Sequence, residues 1–157
     1  MVINNANSSE SIKDYQITWL QNEALKFNEP GWGVVFISHQ PMSNHEHANI
    51  SNPSLIYDAL SAYKASSDPN KADIIGWFSG HIHKDRIYNV DKNDNPIPFT
   101  QVTTSSDHTA IAYEAATTNP LDSSNKSHCI DFVTIDKSTR TVKITRLGIG
   151  NDREYQY

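Results

Sequence analysis

A single cysteine, Cys129, in 157 residues excludes any disulfide within the chain and leaves the redox compartment open. Cys129 stands in the apolar run Cys129-Ile130-Asp131-Phe132-Val133, so it reads as a buried, inert thiol. No apolar stretch reaches the roughly 18 residues of a spanning helix, so no membrane partner is expected. The first residues lack a basic-then-apolar signal pattern. Positive charge is in deficit as well: the net charge of −5 argues against a nucleic-acid or anionic-membrane surface. It does not argue against a small phosphorylated substrate, which a buried metal attracts locally. Internal repeats and low-complexity segments are also missing, which removes solenoids and linkers from consideration.

What the chain does have is aromatic residues, three Trp, seven Tyr and five Phe, enough to drive burial in one folded domain. Residues 1–3 read as a strand stub, and residues 8–10 as a cap for the helix that follows. Over 12–27, apolar residues recur at Ile12, Tyr15, Trp19, Leu20 and Leu25, the spacing of an amphipathic helix stopped by Pro30-Gly31. Residues 33–38 and 73–79 are unbroken apolar runs, expected as strands buried on both faces. Between them, 54–65 reads as a helix with Leu55, Ile56, Leu60 and Tyr63 inward. Residues 86–90 and 97–103 form an expected hairpin, and 130–135 with 141–146 a second one, its inward side carrying Val142, Ile144 and Leu147. The tail from 148 to 157 reads as coil. The order helix, strand, helix, strand, then antiparallel strands gives an α/β (α+β) arrangement.

Chemistry concentrates where the two apolar strands end. Gly80-His81-Ile82-His83 follows one, with Gly80 supplying the sharp backbone turn. Ser38-His39-Gln40-Pro41 follows the other. Ligands in open α/β sheets gather at the carboxyl ends of strands, and imidazole is a good ligand for Zn, Fe and Ni and tolerates Mn in oxygen-rich sites. One such histidine would read as an ordinary strand-end residue; three on two strands favour a metal site.

These pieces, with Gln16-x-x-Trp19-Leu20 before them, Lys84-Asp85 after them and Arg146 to Glu154 near the end, resemble the last two motifs of the calcineurin-like metallophosphoesterases. The resemblance implies one partial domain over 1–157, the C-terminal half of a layered sandwich of mixed sheets flanked by helices. Residues 1–85 would carry the metal-ligand loops and 86–157 mainly antiparallel strands. It implies that His39 and His81 ligate one divalent metal (Mn, Fe, Zn or Ni) and His83 a second, and that the substrate is a phosphoester. The family's earlier motifs, Asp-x-His, Gly-Asp-x-x-Asp and Gly-Asn-His-Asp/Glu, do not occur before His39. On this reading no catalytic residue is assigned, the chain starts inside a fold, and its metals are weakly held or absent. The alternative reading is a non-catalytic fragment or assembly module that dimerises or complements a separate N-terminal chain.

Three local signals are set aside. Asn44-His45-Glu46 mimics part of the third motif but lacks its Gly and follows His39; residues 43–49 read as a loop over the site, where His45 and His47 either touch substrate or, as the favoured reading, face water. The stretch 91–96 begins like a calcium loop, but Pro96 replaces the required Gly, so it reads as a turn. Asp107-His108 has no nucleophile partner in a recognisable context.

Overall fold

The computed structural model describes residues 2–3, 11–43, 50–105, 129–148 and 150–157. The expected cap at 8–10, the loop residues His45 and His47, and the Asp107-His108 pair lie outside the described residues.

The described chain contains both helices and sheets, one of the two sheets being mixed. In chain order the elements are β1 (Val2–Ile3), α1 (Asp14–Trp19) continuing into a π-helical turn over Leu20–Ala24, β2 (Gly33–Ser38), α2 (Ser54–Ala65) and β3 (Asp73–Ser79). Then come β4 (Arg86–Val90), β5 (Pro96–Thr103), β6 (Cys129–Asp136), β7 (Thr141–Gly148) and β8 (Arg153–Gln156). One sheet has the order β1-β2-β3-β5-β4, parallel except for the β4–β5 hairpin. The other is antiparallel, β6-β7-β8.

Two apolar clusters define three layers. Between the helices and the five-stranded sheet, Val34 and Phe36 of β2, Trp77 of β3 and Phe99 of β5 meet Leu20 and Leu25 and the buried stripe Ile56, Ala59 and Leu60 of α2. Phe36 stacks on Trp77 with centroids 4.7 Å apart. Between the two sheets, Ile75 and Val102 pack on Val142 and Ile144 of β7. Gly76 faces Tyr155 of the second sheet. Tyr155 of β8 donates its hydroxyl to the Ile75 carbonyl at 3.1 Å, and a Cβ at position 76 would sit 2.2 Å from that hydroxyl oxygen.

Several expectations are corrected. The first helix begins at Asp14, and Tyr15 and Trp19 are 69% and 42% exposed. The buried stripe is instead Ile12, Gln16, Leu20 and Leu25. Gln16 is inward because its side-chain oxygen accepts from the Lys13 N–H at 3.0 Å. The last step is five residues because the π turn bonds Leu25 N to Leu20 O. In β2, burial alternates, and Ile37 is 49% exposed, so that strand is not covered on both faces. Leu55 faces out and Ala59 takes its place. Leu147 also faces out, because the period of two that sets Val142 and Ile144 inward next selects Arg146. Cys129 is half-buried. The tail is not all coil: β8 pairs with β7, with Arg153 opposite Ile144 and Tyr155 opposite Val142.

Residues 91–95 form a turn, as expected, and Pro96 opens β5. Asp91 Oδ1 accepts from the N–H groups of Asn93 and Asn95 at 2.8 and 3.0 Å, a local carboxylate-to-backbone closure.

Candidate functional site

β2 and β3 are parallel neighbours, and their last residues, Ser38 and Ser79, are register partners. The next residues therefore leave the sheet side by side. Gly80 N–H donates to the His39 carbonyl at 3.1 Å, and His39 Nε2 lies 3.1 Å from His81 Nδ1. The two rings meet edge to face, centroids 5.0 Å apart at 74°.

The sharp turn is not made by Gly80, which has ordinary negative φ and open space around it. It falls on the histidines themselves. His81 has φ 69° inside a three-residue turn closed by Ile82 N–H to the Gly80 carbonyl at 2.9 Å, and His83 has φ 54°. Left-handed backbone is unfavourable for residues with a Cβ, and the surrounding contacts must hold it. Ile82, buried to 5% exposure, pins the middle. Downstream, Ser105 Oγ donates to the His83 carbonyl at 3.2 Å, Thr103 Oγ1 donates to the Lys84 carbonyl at 2.7 Å, and Ser105 N–H donates to Asp85 Oδ1 at 2.9 Å.

Asp85 also ties this segment to the second sheet. Arg146, with a side chain 1% exposed, bonds Asp85 at 2.5 Å and Asp131 at 2.7 Å, and Arg153 bonds Asp131 at 2.5 Å. Two carboxylates and two guanidiniums balance in charge, which is what makes their burial tolerable. Both partners of Arg146 push its already high proton affinity further up, against the opposing effect of burial. For Asp131, burial is the largest influence and acts upward. The Arg146 hydrogen bond, the Arg153 charge and the Thr104 hydroxyl together outweigh it and hold the carboxyl below its ordinary value.

His39, His81 and His83 all line one cavity of about 690 Å³. The remainder of its wall is largely apolar: Val35 and Ile37 of β2, Phe78 of β3, and Val133 and Ile135 of β6. The structure thus brings all three expected ligands to one cavity, but only two into contact. Two imidazole nitrogens bound in cis positions at about 2.0–2.1 Å from one ion lie about 3.0–3.4 Å apart, so the His39–His81 separation suits a shared metal. A third donor is not in place. Among the described residues no group of three or more His, Cys, Asp or Glu is arranged to hold a metal ion. Asp85, the nearest carboxylate along the chain, is engaged by Arg146. A catalytic zinc ordinarily takes three protein ligands, so the described donors fit a pair of ligands and not a working centre.

Sequence reasoning passed over two groups behind the site. One is the buried ionic cluster; its signal was a charged residue at an inward position of β6, β7 and β8 alike (Asp131, Arg146, Arg153). The other is Gln101, at an inward position of β5 after Ile97 and Phe99, and fully buried.

No protein-family model, curated protein or solved structure matches this chain.

Proposed function

We propose that the chain contributes the histidine side of a divalent-metal phosphoester hydrolase, with His39 and His81 sharing one ion and His83 facing a second. The observation that carries this reading is the convergence of the three imidazoles, from the carboxyl ends of adjacent parallel strands, on one cavity. The motif resemblance supplies the substrate class. A pair of close metals could polarise a phosphate ester and stabilise its leaving oxygen. The described donors complete neither ion's shell.

The test has two arms. Zinc or manganese titration followed by imidazole NMR is expected to shift His39 and His81 together, with weak affinity. Turnover of a chromogenic phosphodiester by the pure chain is expected to be negligible, and to appear only when a second chain supplies the Asp-x-His, Gly-Asp-x-x-Asp and Gly-Asn-His-Asp/Glu motifs. Metal ions that leave both rings unshifted would overturn the proposal. Robust turnover by the chain alone would overturn the incomplete donor set.

A second reading, a non-catalytic assembly module, is favoured by a separate observation. Among the described residues β6 is an edge strand, and Ile130, Phe132 and Val133 on it are 49%, 57% and 42% exposed. Apolar edges invite pairing with another strand, from a second copy or a complementing chain. A monomeric mass across concentrations, with no binding of an apolar dye, would remove this reading.

A further inference from the structure

We infer that Gln101 is a positioning residue that sets the spacing of the His39 and His81 rings by gripping the roots of both loops at once. The inference stands on the geometry of the metal-free pair and holds whether or not the substrate is a phosphoester.

A fully buried primary amide needs partners for its hydrogens and its oxygen, and Gln101 finds them on two different segments. Its Oε1 accepts from the Met42 N–H at 2.8 Å, three residues past His39. Its Nε2 shares two hydrogens among the Trp77 carbonyl at 2.9 Å, the Ser79 hydroxyl at 2.9 Å and its neighbour's Val102 carbonyl at 3.1 Å. Ser79 stands two residues before His81. The amide therefore bridges the chain just after one ligand to the chain just before the other.

The neighbouring bonds give the bridge something firm to hold. Tyr57 donates to the Met42 carbonyl at 2.6 Å, and Ser38 Oγ donates to the Gln40 carbonyl at 2.6 Å while accepting from the Trp77 indole N–H at 2.7 Å. The segment Gln40 to Met42 is thus fixed at three backbone groups. Of the side chains involved, Gln101 alone reaches both Met42 and Ser79. An apolar residue of similar size would fill the same buried position, yet would remove the acceptor of the buried Met42 N–H. A network of this kind fixes one arrangement because every member is satisfied.

The experiment reads the ring nitrogens of His39 and His81 by ¹⁵N-resolved NMR of the metal-free protein at fixed pH. The wild type is expected to show a single shared hydrogen bond between the two rings. Gln101→Glu keeps the acceptor and removes both donors, and Gln101→Met removes both halves; each is expected to lose the shared-bond signature. Leu60→Ala, a core truncation on α2 that removes none of the Gln101 hydrogen bonds, is the stability control and is expected to lower Tm while keeping that signature. Retention of the shared bond in a folded Gln101 variant, or its loss in Leu60→Ala, would overturn the inference. Hydrogen exchange in the wild type covers the case in which the variants do not fold. Slow exchange of the Met42 amide and the Gln101 side-chain amide is expected; fast exchange of either would also overturn it.

Discussion

At the scale of single residues, the two sheets are held at a distance that only glycine permits at position 76. A methyl group there would meet the Tyr155 hydroxyl at 2.2 Å and the Thr100 carbonyl at 3.3 Å. Gly76→Ala is expected to cost about 1–3 kcal/mol, the usual range for forcing an extra carbon into a packed interior. Tyr155→Phe alone loses the bond to Ile75 and costs about 1 kcal/mol. Because the clashing atom is the one that Tyr155→Phe removes, the double variant is expected to be more stable than the sum of the singles predicts, as measured by urea unfolding. Strict additivity would show that the sheets do not touch there. The His39–His81 pair calls for a parallel test. If the two rings hold one ion jointly, His39→Ala and His81→Ala should each weaken zinc binding, and neither single should keep a site of wild-type affinity. A single variant that loses one site and keeps another at wild-type affinity would show independent sites.

Among elements, the ionic cluster is what fastens the histidine loop to the second sheet, through Asp85 on one side and β6, β7 and β8 on the other. Arg146→Met leaves two buried carboxylates short of a partner and is expected to cost about 3–5 kcal/mol, the range for breaking a buried pair from one side. Asp131 is held below its ordinary value, and exposed Asp136 is pulled down to about 2 by the Ser138 and Thr139 hydrogen bonds. A depressed folded pKa contributes stability above the unfolded value, near 3.9, that is lost as pH falls through the folded value. Tm should therefore decline as pH falls below about 4, and Asp131→Asn should flatten that decline; an unchanged slope would remove Asp131 from the explanation. The elements that sequence made legible were the ones whose own side chains specify them. β2, α2, β3 and β4 run as expected because β-branched runs and a single apolar stripe need no partner to be recognised. β8 was missed because its inward residues are Arg153 and Tyr155, and their burial depends on Asp131, Thr103 and Ile75, all distant in sequence. The histidines were legible from their position after two strands. The left-handed backbone of His81 and His83 was not, because it is imposed by the contacts of Ile82, Thr103 and Ser105.

For the whole molecule, the distribution of exposed apolar area decides between a self-sufficient surface and one that needs a cover. The outer face of the β6–β7 pair carries Ile130 opposite Leu147, 49% and 53% exposed, with Phe132 beside them at 57%. The inner side of β6 carries Val133 and Ile135, which line the histidine cavity across from Ile37. Among the described residues this edge strand thus shows apolar side chains on both faces, and it also forms part of the cavity wall. Covering that edge would extend the cavity wall and the sheet together, so assembly and metal binding should be linked. If so, Phe132→Lys, which places a charge on the outer face without touching the cavity, should reduce any concentration-dependent association seen by sedimentation. Zinc affinity, measured at low protein concentration, should stay unchanged. Val133→Lys, on the cavity side of the same strand, should lower both. A Phe132 variant that loses zinc affinity as a monomer would show that the outer face supports the fold of the site itself, and would separate the histidine centre from any role in assembly.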